Sequence, residues 1–152
     1  MQKKISEELA TIDTMDGIIF EEYCKQLLDI GGFFRFAKFE KTKQTKDYGA
    51  DIVITLLGNK KICVQCKRSK NNVGLDAIQE VLASKNYYKA NYCMVMTNSY
   101  FTENARILGL QSDVLMIDRD KLIKLLDMKN AVLEEAFTNK QWKQFLELPI
   151  FK

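Results

Sequence analysis

Apolar positions along the chain follow two spacings, one typical of helices and the other typical of strands. Helical spacing and helix-forming composition predict helices at residues 17–30, 73–90, 101–110, 119–128 and 131–146. Alternating or β-branched apolar runs predict strands at residues 33–41, 50–57, 60–68, 91–97 and 113–118. The elements therefore follow in the order α-β-β-β-α-β-α-β-α-α. This order, with hairpins first and crossover helices later, predicts an α/β fold with a mixed β-sheet flanked by helices on both faces.

Polar residues at the ends of these runs indicate how the elements begin and turn. Either Asp13 or Asp16 can cap the first predicted helix, since both are good N-cap residues. Gly58 and Asn59 separate the second and third strands and predict a tight hairpin turn. The single proline is Pro149, so nothing marks an interior domain boundary. We therefore expect one domain over residues 1–152.

Composition restricts the class of protein and the chemistry available to it. Hydrophobic residues make up 47% of the chain, which is typical of a globular domain and not of a disordered one. Neither a signal-peptide pattern nor a membrane-length apolar run is present, so we expect a cytoplasmic protein without a membrane partner. The chain contains no histidine, which excludes Ser-His-Asp and Cys-His catalysis. Cys63 and Cys66 would point to opposite faces of one strand, so we expect free thiols and no zinc site.

Charge is distributed unevenly along the chain. Residues 35–70 contain ten basic side chains against three acidic ones, a local charge of +7 in a chain of net charge +3. Such a basic block suits a polyanionic substrate such as nucleic acid. Lysines that flank strands as solvated edge residues would give the same composition.

The best candidate site lies on the predicted hairpin. Strand alternation puts Gln65 and Lys67 side by side on one face, and Asp51 begins the partner strand near them. A carboxylate, an amide oxygen and backbone carbonyls are hard ligands that suit Mg²⁺ or Mn²⁺, and a nearby ammonium could orient a water or contact a phosphate. The same pattern also fits a turn cap at Asp51 and two polar residues on an exposed strand.

The sequence around these residues resembles the nuclease core of the Mrr-type restriction endonucleases, a branch of the PD-(D/E)xK superfamily. Asp47, Gly49 and Asp51 match the family's D-x-G-x-D pattern, and Gln65 and Lys67 match Q-x-K, which replaces the commoner E-x-K. Further similarity to the family, in the same order, is found at residues 17–21, 73–90, 96–106 and 114–126. The resemblance covers most of the chain and implies a restriction-endonuclease-like sheet. It implies a single nuclease domain with its core at residues 17–126, followed by a C-terminal helical extension at 129–148.

The resemblance also implies roles for individual residues. Asp51 would be the central metal ligand, Lys67 would orient or activate water, and Gln65 would be a neutral group where relatives carry a second acid. Glu21 would contribute a further carboxylate to the metal, with Glu22 as the alternative if the helix register differs. The backbone carbonyl of Cys66 could complete the metal site, with Mg²⁺ as the expected cofactor and Mn²⁺ as a possible substitute.

The function implied by the resemblance is metal-dependent endonucleolytic hydrolysis of DNA, of the Mrr-like restriction or defence type. Lys43, Lys46, Tyr48, Arg68 and Lys70 are the expected DNA contacts. Cleavage of both strands would need a homodimer or paired nicks, and a separate subunit could recognise the target. The alternatives are a Holliday-junction or other structure-specific nuclease, and a non-catalytic DNA-binding relative with the same fold.

Overall fold

The computed structural model describes residues 2–30, 37–42 and 50–133. Five helices and five strands lie in these ranges and are numbered in chain order. The helices are α1 (Gln2–Asp13), α2 (Gly17–Ile30), α3 (Leu75–Tyr88), α4 (Glu103–Gln111) and α5 (Arg119–Leu133). The strands are β1 (Lys38–Lys41), β2 (Ile52–Thr55), β3 (Lys61–Lys67), β4 (Tyr92–Thr97) and β5 (Val114–Ile117).

The five strands form one mixed sheet in the order β1-β2-β3-β4-β5. The first three strands are antiparallel, whereas β3, β4 and β5 run parallel to one another. Each parallel step needs a crossover connection, which α3 and α4 provide. The ends of β3, β4 and β5 and the start of β2 therefore meet at one edge of the sheet, called the site edge below.

Helices cover both faces of the sheet, which confirms the predicted fold class. One face packs against α1, α2 and α5 through a core that includes Phe20, Leu28, Ile54 and Leu122. The other face packs against α3 and α4 through a second core that includes Ile78 and Val95. Alternation along β3 divides its side chains between these cores, so Val64 and Cys66 face α2, and Cys63 faces α3.

The hairpin between β2 and β3 forms where Gly58-Asn59 predicts it. Both residues have positive φ, 88° for Gly58 and 66° for Asn59, and the Leu56 N–H donates to the Lys60 carbonyl at 2.7 Å. Glycine and asparagine tolerate this left-handed backbone better than other residues, so the sequence favours the turn. The resulting register pairs Ile52 with Val64.

The structure differs from the sequence prediction at both ends of the chain. Helix α1 was not predicted, although Ile5, Leu9 and Ile12 are spaced as one helical face and are buried. Asp16 caps α2, since its Oδ1 accepts from the Ile19 N–H at 2.8 Å, whereas Asp13 is the last residue of α1. The predicted break after residue 128 is wrong, because α5 continues to Leu133. Residues 33–36 of the first predicted strand and most of the predicted extension lie outside the described residues.

The cysteine prediction is confirmed. Cys24, Cys63, Cys66 and Cys93 are free and buried. Across the described ranges, every helix is too short or too polar to cross a membrane.

Candidate active site

Asp51 lies at the site edge, immediately before β2. Ile52, the first residue of β2, pairs with Val64, and the Asp51 N–H donates to the same Val64 carbonyl at 2.8 Å. The hairpin therefore brings Asp51 beside the end of β3 that carries Gln65 and Lys67. The charge of Lys67 acts on the Asp51 carboxylate from there.

The main chain of β3 holds the Asp51 carboxylate in place. Asp51 Oδ2 accepts a hydrogen bond of 2.7 Å from the backbone N–H of Cys66. The N–H and C=O of one strand residue point toward the same neighbouring strand, so the Cys66 carbonyl is directed to the side of Asp51 as well. The Thr42 N–H donates to the Asp51 carbonyl at 3.0 Å, which ties the end of β1 to the same residue.

Helix α2 brings Glu21 to Asp51 from the other face of the sheet. Burial raises the pKa of Asp51, the charge of Glu21 and a hydrogen bond between the two carboxyl groups raise it further, and the pKa reaches about 7. The hydrogen bond from Cys66 and the charge of Lys67 act in the opposite direction, but burial outweighs them. Two carboxyl groups in contact at a partly buried position favour a shared cation or a shared proton.

Glu22, the alternative to Glu21, has other partners. Its carboxylate lies 3.4 Å from Lys41 Nζ and also accepts from Gln26 Nε2 at 3.4 Å. Of the two glutamates, Glu21 is therefore the one that the structure brings to Asp51.

Gln65 and Lys67 share one acceptor on α3. Glu80 Oε2 lies 3.2 Å from Gln65 Nε2 and 2.9 Å from Lys67 Nζ. Gln65 is only 6% exposed. Its Oε1 is buried and has no hydrogen-bond partner within the described part of the protein. Buried acceptors are normally satisfied, so Gln65 Oε1 offers an oxygen to a bound ligand.

These groups fit a hard divalent cation. Asp51 and Glu21 provide two carboxylates, and the Cys66 carbonyl and Gln65 Oε1 lie on the same edge. No group of three or more acidic or cysteine side chains suited to a metal occurs among the described residues. Mg²⁺ commonly uses one or two carboxylates and keeps several waters, so a pair of acids is a sufficient protein contribution.

A family model and two solved structures relate this geometry to known proteins. The family model Mrr_cat, described as restriction endonuclease, matches residues 12–126. The chain belongs to this family. Among curated proteins, none matches the chain in sequence.

Two restriction endonucleases of known structure share the fold of this Mrr_cat domain. The DNA modification-dependent restriction endonuclease AspBHI aligns with 95% of the chain at a TM-score of 0.64 and 16% identity. MspJI, solved in complex with a 27-mer oligonucleotide, aligns with 97% of the chain at a TM-score of 0.58 and 11% identity. The chain spans 39% of AspBHI and 35% of MspJI, so it corresponds to part of each enzyme.

A polar cleft of about 450 Å³ lies on the same edge of the Mrr_cat domain, beside the end of β3. Arg68, Lys70 and Arg119 line it together with Asp13 and Asn98. Arg119 pairs with Asp13 at 2.9 Å, which lowers the pKa of Asp13. Arg68 and Lys70 remain as an excess of positive charge next to Lys67. We name this feature the rim cleft.

The structure describes two of the five expected DNA contacts and shows one further residue at the site. Of the expected DNA contacts, Arg68 and Lys70 lie in the rim cleft, whereas Lys43, Lys46 and Tyr48 fall outside the described residues. Sequence reasoning missed Glu80. Its position in the helix that follows the Q-x-K strand was a usable signal, because a crossover helix packs back over the strand that it leaves.

Proposed function

We propose that this domain is a metal-dependent DNA endonuclease of the Mrr-like restriction or defence type, which hydrolyses phosphodiester bonds. The observation that carries the proposal is the position of Asp51, held by the Cys66 N–H at the end of β3 and in contact with Glu21. Membership of a restriction endonuclease family supports the same activity. We further propose that residues 1–152 act as one nuclease domain in the cytoplasm, with residues 129–148 as an extension.

Asp51 and Glu21 would hold the cation, with the Cys66 carbonyl and Gln65 Oε1 as additional oxygens. A bound Mg²⁺, or Mn²⁺ in its place, supplies Lewis-acid stabilisation of the charge that develops on the phosphate. Asp51 keeps its orientation through the Cys66 N–H, so it needs no rearrangement to bind. Lys67 orients the attacking water and contacts the phosphate that is cleaved.

The rim cleft would bind the DNA backbone next to the cleaved phosphate. Arg68 and Lys70 provide positive charge there, and Lys43, Lys46 and Tyr48 are proposed as further contacts from the adjoining segment. MspJI was solved with an oligonucleotide, which supports DNA as the substrate of this relative with the same fold. Phosphate contacts of this kind fix the position of the duplex without reading its sequence.

Target recognition and double-strand cleavage would need more than one such domain. AspBHI and MspJI are each more than twice as long as the aligned part, so further polypeptide accompanies the shared fold in both. We propose a homodimer for duplex cleavage and a separate recognition subunit or domain for target choice. A junction-specific nuclease would use the same site on a different DNA shape.

Nicking of supercoiled plasmid tests the proposal. The wild-type protein should nick the plasmid with Mg²⁺ or Mn²⁺ and not with EDTA. Asp51→Ala and Lys67→Ala should each reduce the single-turnover rate by roughly 100-fold or more. Asp113→Asn, an exposed change away from the site, should leave the rate unchanged.

Equal nicking by the wild-type protein, Asp51→Ala and Lys67→Ala would refute the nuclease proposal. DNA binding without any metal-dependent nicking would favour the non-catalytic alternative. Faster cleavage of a four-way junction than of a linear duplex in the same assay would instead identify a structure-specific nuclease.

A further inference from the structure

One carboxylate oxygen on helix α3 contacts both polar residues of the Q-x-K pair. Glu80 Oε2 accepts from Lys67 Nζ at 2.9 Å and from Gln65 Nε2 at 3.2 Å. The Lys67 and Glu80 side chains are 34% and 42% exposed, so the pair stands at the margin of the site and not in bulk solvent. Gln65 is almost fully buried beneath them.

The contact decides which way the Gln65 amide points. An ionised carboxylate can only accept hydrogen bonds, so the NH₂ group of Gln65 must face Glu80. The amide oxygen then points away from Glu80, and it is this Oε1 that is buried without a partner among the described residues. Without Glu80, no contact in the described structure would fix this orientation over its 180° flip.

The contact also provides a negative charge at a place where the strand has none. In the commoner E-x-K pattern the strand itself carries an acid two residues before the lysine. Here Gln65 is neutral, and Glu80 forms the one ion pair that Lys67 makes within the described residues. The acid that pairs with Lys67 therefore lies on the helix that follows the strand and not on the strand itself.

We propose that Glu80 is a positioning residue of this nuclease site, which fixes the Lys67 ammonium and the orientation of the Gln65 amide. The inference rests on the proposed nuclease function. Glu80 acts through Gln65 and Lys67 and does not itself bind the metal or the reacting phosphate. Hydrogen-bond partners of this kind commonly affect activity nearly as much as the groups they orient.

Three variants test this role. Glu80→Gln keeps the size of the side chain but removes the charge. The double variant Gln65→Glu with Glu80→Gln returns one carboxylate to the strand and so restores the charge beside Lys67. Asp76→Asn makes the same acid-to-amide change on an exposed residue of the same helix and serves as the matched control.

Single-turnover plasmid nicking, Mn²⁺ affinity measured by electron paramagnetic resonance without DNA, and thermal unfolding should be recorded for each variant. Glu80→Gln should nick roughly 10- to 100-fold more slowly, while its Mn²⁺ affinity falls much less than that of Asp51→Ala. The double variant should regain at least about tenfold of the lost rate. Asp76→Asn should match the wild type in all three measurements.

Wild-type nicking rates in Glu80→Gln would overturn the inference while leaving the nuclease proposal intact. A loss of Mn²⁺ affinity as large as that caused by Asp51→Ala would show that Glu80 is a metal ligand and not a positioning residue. The double variant could fold as stably as the wild type and still not regain nicking rate. That result would refute the proposed role of the negative charge beside Lys67. An inactive wild-type protein would refute the nuclease proposal and, with it, the role of Glu80.

Discussion

At the scale of a single residue, the partly buried Asp51 carboxylate destabilises the folded protein when it is ionised. Its carboxylate is partly buried, lies next to Glu21, and has a pKa of about 7 in the folded protein against 3.8 in a model compound. The folded state therefore holds a proton that the unfolded state releases between about pH 4 and pH 7. The free energy of unfolding therefore falls as pH rises through that window, and the destabilisation by Asp51 is complete above pH 7.

Asp51→Asn should therefore stabilise the metal-free protein at high pH. An amide keeps an acceptor for the Cys66 N–H but cannot ionise, so the free energy of unfolding at pH 8 should rise by roughly 2 kcal/mol. This value is below the full equivalent of the pKa change because the carboxyl group retains some solvent contact. Urea unfolding in EDTA measures the difference, which should disappear near pH 4. A stabilisation independent of pH would contradict the explanation.

Mg²⁺ should narrow the difference in stability between the wild type and Asp51→Asn at pH 8. A cation that binds the ionised carboxylates stabilises the folded wild-type protein by mass action, whereas Asp51→Asn lacks the main ligand. Thermal unfolding with Mg²⁺ titrated up to 10 millimolar, about the range needed for weak oxygen sites, would reveal the contrast. Equal shifts in the wild type and the variant would argue against metal binding at Asp51.

The sequence predicts the residue-level site up to a definite limit. Strand alternation and the turn at Gly58-Asn59 suffice to predict Asp51 near the end of β3 that carries Gln65 and Lys67, because both rules act over a few residues. The contact of Glu80 with Lys67 depends on the rotation of α3 about its axis and on the reach of two long side chains. Neither is encoded in local spacing.

At the scale of elements, a polar network fastens α1 and α5 to the site edge. Arg119 at the start of α5 donates to both oxygens of Asp13 at 2.9 and 3.1 Å, and to the Asn98 carbonyl at 2.8 Å. Asn98 in turn accepts from the Ser69 N–H at 2.7 Å and donates to Asp13 at 3.0 Å. The network connects the ends of α1 and β4 with the residues after β3.

Arg119→Ala should loosen these elements together. Loss of three charged hydrogen bonds at partly exposed atoms should lower the free energy of unfolding by about 1–2 kcal/mol at pH 7. The pKa of Asp13 is lowered by Arg119, so the contribution of the pair is present above the ordinary pKa of an aspartate and fades as pH falls below it. Urea unfolding at pH 7 and pH 3 measures both effects. Lys124→Ala, an exposed change on α5, is the control.

Some element boundaries follow from nearby residues in the sequence, whereas others depend on packing between distant elements. The periodicity of α2 and the cap at Asp16 are local, and α2 spans the predicted residues 17–30. In α1 the helical spacing is present in Ile5, Leu9 and Ile12, but these are the only large apolar residues of a polar segment that gains its stability by packing. The continuation of α5 past residue 128 likewise has no local signal, since the helix contains neither glycine nor proline to indicate where it ends.

At the scale of the whole molecule, basic residues from one sequence segment lie at opposite ends of the sheet. Within the +7 segment at residues 35–70, Lys60 lies at the hairpin turn, whereas Arg68 and Lys70 lie in the rim cleft. Substitutions at these two places therefore distinguish the effect of where a positive charge lies from the effect of the net charge.

Arg68→Ala and Lys70→Ala should each weaken DNA binding and reduce the slope of log affinity against log salt by about one. Lys60→Ala removes the same charge from the same segment at the opposite edge and should leave the slope nearly unchanged. Fluorescence anisotropy of a labelled duplex between 50 and 200 millimolar salt, about the range where counterion release is measurable, tests this. Equal effects at all three positions would indicate binding by net charge alone.

The β2–β3 hairpin has a consequence for how such domains can diverge in sequence. Because Asp51 is held against Val64 and Cys66 through a register set at Gly58-Asn59, the geometry of the proposed site depends on the length of a turn at the far end of the sheet. One inserted residue there would slip the pairing and separate Asp51 from the Cys66 N–H, unless a bulge absorbed it. Insertions should therefore be tolerated poorly in this surface turn, while substitutions at its exposed positions should pass.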